Sequence, residues 1–242
     1  MKHLALFMRH PECSEDCAYA MVHALSSEYQ IRIFTEKELD DDNFFDNLDV
    51  IAFPGGIGDS DSYPNFFTRT RANRIARFLD GGGHYLGICM GAYWAGSRYF
   101  DVLDTVNPVQ YIKQPNADIK RSYGTVASVT WKNHHEDIYF YDGCALIGDE
   151  DKFKTIARYA NGDPMAIIQG RIGLIGCHPE APEYWFKKPW QYINKYYNGI
   201  RFTYNTTQFS HCLRHKSSLK SYVASSHISS YFSFRYKRCN TI

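Results

Sequence analysis

The segment His84-Tyr85-Leu86-Gly87-Ile88-Cys89-Met90-Gly91 reads as a strand ending in a cysteine held between two glycines. It constrains the fold strongly, because a nucleophile elbow needs a strand that turns sharply into a helix. The residues two before and two after the nucleophile must be small, so that the crossing backbone has room. Gly87 and Gly91 occupy those places, and the Gly81-Gly82-Gly83 turn precedes the strand. Ala92 to Gly96 can start the helix, whose N-terminal dipole favours a thiolate over a thiol. Cys89 is therefore a candidate nucleophile.

Two other segments carry complementary chemistry. Cys177-His178-Pro179-Glu180 follows the apolar run Ile172-Gly173-Leu174-Ile175-Gly176, which places a histidine and a carboxylate just beyond a predicted buried strand. An imidazole can take a thiol proton near neutral pH, and a carboxylate can fix its tautomer and steady the imidazolium, without any set order in the chain. The third segment, Asp49-Val50-Ile51-Ala52-Phe53-Pro54-Gly55-Gly56, is a strand running into a proline-glycine turn. Paired glycines let backbone approach a ligand closely and present N–H groups inward. The Met90 N–H together with that of Gly55 or Gly56 can form an oxyanion hole.

Strand-like and helical segments alternate through the first hundred residues, the pattern of a mostly parallel sheet covered on both faces. A strand over 3–8 leads to a helix across Cys17 to Leu25 capped by Ser14-Glu15-Asp16, and then to a strand from Tyr29 to Phe34. Residues 67–79 have helical spacing that turns Phe67, Ile75, Phe78 and Leu79 toward the sheet and leaves four arginines as a solvated face. Asp40-Asp41-Asp42 reads as a solvated turn. Beyond the elbow the pattern changes to short β-like runs, Val106–Ile112, Gly124–Trp131, Ile138–Tyr141, Ala145–Gly148 and Phe153–Tyr159, which predict antiparallel hairpins added to the sheet. Asn133-His134-His135-Glu136-Asp137 reads as an exposed turn between two of them. Gln169-Gly170-Arg171-Ile172-Gly173 reads as a hairpin turn, and Pro182 to Tyr197 as a final helical segment.

The order Pro54-Gly55-Gly56, Gly87-Ile88-Cys89-Met90-Gly91, His178-Pro179-Glu180 resembles the class I glutamine amidotransferase-like fold. More narrowly, Gly87 to Tyr93 and Tyr139-Phe140-Tyr141-Asp142-Gly143 are similar to the domain at the N-terminus of some eukaryotic biotin–protein ligases, over roughly residues 1–195. The resemblance implies a flavodoxin-like α/β fold with Cys89 as nucleophile, His178 as base and Glu180 as orienting acid. It also suggests Tyr139, Tyr141 and Asp142 as a pocket wall. Glutamine amidotransferases of this class usually carry glutamine or histidine four residues after the nucleophile, where Tyr93 stands here. A tyrosine offers an aromatic wall and one hydroxyl in place of an amide with paired donor and acceptor, which argues against ordinary glutaminase activity. No synthetase domain and no biotin-ligase core with its nucleotide loop and lysine is read in these residues. The expected substrate is a small molecule or an amide, with a separate acceptor or synthetase protein as a possible partner. The alternative is a binding or regulatory module of the same fold without turnover.

At 242 residues and 44% hydrophobic content the chain can bury one large core, expected over 1–200. A formal charge of +1 argues against bulk nucleic-acid or membrane binding, while 16% aromatic residues can furnish an apolar pocket. No run approaches a membrane span and no signal-peptide pattern opens the chain, so a cytoplasmic location is expected. Seven cysteines at irregular spacing suit a reducing compartment. Cys13 and Cys17 lack a second pair at zinc spacing and read as structural or incidental, so neither a metal nor another cofactor is expected. From 205 to 242 the chain is serine-rich and basic and contains no aspartate or glutamate, a tail set apart from the core.

Overall fold

The computed structural model describes residues 1–8, 14–56 and 66–187, so the 205–242 tail and Cys13 lie outside the described residues. In the first half, β1 (Lys2–Phe7), α1 (Glu15–Leu25), β2 (Tyr29–Phe34), β3 (Val50–Phe53), α2 (Arg69–Asp80), β4 (His84–Ile88) and α3 (Met90–Trp94) follow in turn. The second half contributes β5 (Val106–Gln110), β6 (Thr125–Trp131), β7 (His134–Phe140), β8 (Cys144–Gly148), β9 (Lys154–Tyr159), β10 (Pro164–Gln169), β11 (Ile172–Ile175) and α4 (Glu183–Lys187). Nine strands form one sheet in the order β2-β1-β3-β4-β11-β10-β9-β6-β7. From β2 to β11 neighbours run parallel, and from β11 to β7 they run antiparallel.

Side-chain alternation along the central strands builds a core on each face of the sheet. In β1, Leu4 and Leu6 join the cluster under α1, with Ala18, Met21 and Leu25 of that helix. Ala5 and Phe7 point to the other face, where Ile75 of α2 and Trp94 of α3 pack. In β3, Val50 and Ala52 take the first face, Ile51 and Phe53 the second. Both faces are covered, so these strands read as unbroken apolar runs. The second face is unusually aromatic, with Phe7 lying 5.4 Å from Phe34, 5.2 Å from Phe66 and 5.4 Å from Trp94 between ring centroids. Edge-on and tilted pairs of this kind add to simple area burial.

The capped helix is as expected, since the Ser14 side chain accepts from the Cys17 N–H at 3.3 Å. Four details differ. Only the Asn133 end of the expected turn at 133–137 is a turn. Lys132 and Asn133 have φ of 46° and 72°, and this two-residue reversal lets β7 begin at His134. Because β7 is the sheet's edge, its exposed His134, His135 and Asp137 hide the strand behind polar residues. Second, β6, β7 and β9 extend the sheet, but β5 and β8 pair with each other as a separate antiparallel ribbon. Third, the run Pro164–Gln169 forms β10, and the Gly170-Arg171 turn joins it to β11.

The fourth correction concerns the arginines of α2, of which only Arg69 and Arg77 are exposed. The Arg71 side chain is 10% exposed and donates through Nε to Asp40 Oδ1 at 2.8 Å and through Nη2 to Asp40 Oδ2 at 2.5 Å. Its Nη1 also donates to the Phe66 carbonyl at 3.1 Å. Arg74 pairs with Asp42, so the acidic turn is tied to α2. The Arg71 hydrogen bond and charge hold the Asp40 carboxyl below its ordinary range. A bidentate pair with one partner removed from water is worth more than a rim contact. Arg71→Ala is therefore expected to lower the unfolding free energy by about 1–3 kcal/mol in urea melts, whereas exposed Arg77→Ala changes it by less than about 0.5 kcal/mol.

Candidate active site

Parallel pairing of β3, β4 and β11 aligns three strand ends at one edge of the sheet. Phe53 is level with Gly87, and Ile88 with Ile175, so the residues that follow emerge side by side. These are Pro54-Gly55-Gly56, Cys89 and Gly176-Cys177-His178. Ligand sites of open α/β sheets form at the carboxyl ends of strands for this reason.

Cys89 has φ 50° and ψ −105°, a conformation that non-glycine residues rarely adopt and that an elbow imposes on its nucleophile. The turn is clamped from both sides, because Cys89 N–H donates to Ile175 O at 2.8 Å and Gly91 N–H donates to Pro54 O at 3.2 Å. Its glycines are required by contact. A Cβ at Gly91 would fall 2.1 Å from the Phe53 carbonyl oxygen, and one at Gly87 would fall 2.3 Å from that of Gly91. The helix that follows, α3, spans only Met90–Trp94 and starts directly after Cys89.

His178 is 4% exposed and Glu180 5%. His178 Nδ1 lies 2.9 Å from Glu180 Oε1, and Cys89 and Cys17 are both among the groups that act on the charge of the same ring. With Nδ1 facing the carboxylate, Nε2 is the ring nitrogen left to act as a base. Burial by itself disfavours the imidazolium, but Cys89, Glu180 and Cys17 together outweigh it, and His178 titrates well above an ordinary histidine. The ring is walled by Tyr139 and Trp185, whose centroids lie 6.0 and 5.6 Å away. Its backbone N–H donates to Tyr139 O at 2.9 Å, which fastens the histidine to the end of β7.

Gly55 packs on the histidine, since a Cβ there would fall 2.4 Å from His178 Cε1. Met90 begins α3 beside the turn that Pro54 holds. The Cys89 thiol also lies 3.5 Å from the Tyr141 carbonyl oxygen. Tyr93 is half-buried. Its hydroxyl donates to Asp142 O at 3.2 Å, and burial raises its pKa strongly. The Asp142 carboxylate accepts from Gln110 Nε2 at 3.2 and 3.1 Å, and burial pushes its pKa up against that hydrogen bond.

Sequence reasoning missed Cys17, Gln110 and Trp185. Cys17 Sγ, a His178 ring nitrogen and a Glu180 carboxylate oxygen all lie within 4.8 Å of one another. No local pattern signals this, because Cys17 arrives from the first turn of α1, more than 150 residues away in the chain. Trp185 sits on α4, the described part of the final helical segment.

A family model described as biotin-protein ligase, N terminal, matches residues 9–110, a span that holds Gly55, Gly56 and Cys89 but not His178 or Glu180. No curated protein matches the chain. Among solved structures, a glutamine amidotransferase from Thermotoga maritima has a TM-score of 0.57 at 13% identity, covering 93% of this chain and 96% of that one. A second glutamine amidotransferase gives 0.54 at 14% identity, covering 76% and 97%. A putative GMP synthase protein from Thermoplasma acidophilum gives 0.52 at 13% identity, covering 92% and 98%. Identities this low speak to fold alone. With three strand ends converging on an elbow, this chain has the class I glutamine amidotransferase-like fold, and its residues 9–110 match the biotin-protein ligase N-terminal family.

Proposed function

We propose that this protein is a cysteine-dependent hydrolase or amidotransferase-like enzyme acting on an amide or ester, and neither an ordinary glutaminase nor a biotin ligase. The observation that carries this reading is a cysteine on a strained elbow at the same sheet edge as a buried His178–Glu180 pair whose atoms lie 2.9 Å apart. In the proposed cycle His178 takes the Cys89 proton and the sulfur attacks the substrate carbonyl carbon. The oxyanion is met by the Met90 N–H and that of Gly55 or Gly56. Collapse of the tetrahedral intermediate breaks the carbon–nitrogen or carbon–oxygen bond, His178 protonates the leaving group, and an acyl thioester remains on Cys89. Water or an amine then attacks the thioester with His178 as base, which restores the thiol. Glu180 holds the imidazole orientation and its Nδ1 proton throughout. A separate acceptor or synthetase protein would supply the amine in the transferase case.

One observation favours a second reading, a binding or regulatory module. The Tyr93 hydroxyl is spent on the Asp142 carbonyl, at the position where a glutaminase offers an amide side chain. The two readings differ in how Cys89 reacts.

Iodoacetamide labelling at neutral pH, located by peptide mass mapping, separates them. The enzyme reading expects rapid labelling at Cys89, slowed roughly 100-fold or more by His178→Ala, within the range of general-base effects. Cys89→Ala should then abolish turnover in an amide and ester screen while the thermal melt stays cooperative. Slow labelling that His178→Ala does not change would overturn the enzyme reading in favour of the module.

Gly55→Ala provides a geometric check that leaves the triad side chains in place. A Cβ 2.4 Å from His178 Cε1 must push the ring off its line to Cys89. The expected result is a far-ultraviolet spectrum like that of the parent and labelling slowed toward the His178→Ala rate. Unchanged labelling in a folded variant would show that the ring does not need this contact.

A further inference from the structure

Cys17 is a buried thiol that the proposed cycle does not use, and it lies against the base. Its Sγ, a His178 nitrogen and a Glu180 oxygen sit within 4.8 Å of one another. The side in question is the Nδ1 side of the ring: a Cβ built on Gly55 would lie 3.3 Å from Nδ1, 2.4 Å from Cε1 and 3.1 Å from Cys17 Sγ. A second observation concerns the same carboxylate. Among the described residues, Glu180 Oε2 is one of the few buried side-chain polar atoms with no hydrogen-bond partner. A buried carboxylate oxygen left without a donor is costly, and a cation satisfies it as well as a donor does.

We infer that Cys17, His178 through Nδ1 and Glu180 form a three-ligand site for a divalent zinc-class ion. Sulfur, nitrogen and oxygen donors together select zinc over magnesium or calcium, which prefer oxygen alone. Tetrahedral zinc with bond lengths of about 2.0–2.3 Å sets its ligands roughly 3.3–3.7 Å apart, so the present cluster closes on an ion by side-chain shifts of about an ångström. On binding, Cys17 releases its proton to solvent and the Nδ1 proton moves to Nε2, so the imidazole stays neutral and thiolate, carboxylate and dication sum to zero charge. That balance suits a buried pocket. The fourth position stays open for water or another ligand.

Metal at Nδ1 has a consequence for the elbow. A neutral imidazole ligated at Nδ1 carries its proton on Nε2, the nitrogen left to act as a base, and so cannot accept the thiol proton. Zinc and the activated nucleophile exclude each other, with Cys17 as the residue that makes the site selective. This consequence rests on the hydrolase reading, but metal binding itself does not.

The test is titration of the chelator-treated protein with zinc chloride in competition with a chromophoric indicator, using magnesium chloride as the control. One equivalent of zinc should bind to the parent and to Cys89→Ala. Cys17→Ala and Cys17→Ser should bind roughly tenfold or more weakly, since loss of even an outer partner of a metal ligand has that effect. Cobalt(II) should give a sulfur-to-metal absorption band that survives Cys89→Ala and disappears in the Cys17 variants. In the parent, zinc should protect Cys17 from alkylation, a readout that needs no variant to fold. Binding unchanged in the Cys17 variants, or lost only in Cys89→Ala, would overturn the site. Zinc bound at Cys17 without any effect on Cys89 labelling would uphold the site and overturn the proposed exclusion, which separates this failure from failure of the hydrolase reading.

Discussion

Everything at the candidate site hangs on the in-register parallel pairing of β3, β4 and β11. Strand pairing at a fixed spacing delivers three turns to one edge, and two backbone hydrogen bonds, Cys89 N–H to Ile175 O and Gly91 N–H to Pro54 O, lock those turns to one another. A shift of one residue would turn Phe53 and Ile51 from the aromatic face to the other face and carry Cys89 away from His178. The positive φ of Cys89 persists because both neighbouring strands over-determine it.

The core supports that register from both faces. Alternating residues of β1 and β3 are fully buried on each side, and the Phe7, Phe34, Phe53, Phe66, Trp94 and Phe100 cluster fills the space beneath α2 and α3. The antiparallel half of the sheet has a different task. It brings Tyr139 and Tyr141 from the end of β7 against His178 and Cys89, and with Trp185 it closes the histidine off from solvent. Burial of this kind is the largest single influence on the His178 charge and opposes it, and the neighbouring Cys89, Glu180 and Cys17 together outweigh it.

Local reading reaches what is written in consecutive residues. The glycines around Cys89, the paired glycines after Phe53 and the His178-Pro179-Glu180 run all show their steric or chemical logic within a few positions. It failed where a partner comes from far along the chain. The α2 arginines look alike in sequence, but only Arg71 and Arg74 find Asp40 and Asp42 across the fold. β7 looks like a loop because an edge strand can be polar over half its length. β5 and β8 look like members of the main sheet, and only packing sets them apart as a ribbon.

The sequence by itself determined the alternation of strands and helices, the elbow, and the residue types of a Cys-His-Glu set, since propensity, steric room and functional groups are local properties. The tertiary structure decided which strand ends meet, that Tyr93 is tied to Asp142, and that Cys17 faces the same imidazole as Glu180. Those outcomes depend on the order of strands in the sheet and on contacts between segments far apart in the chain. No window of sequence contains them.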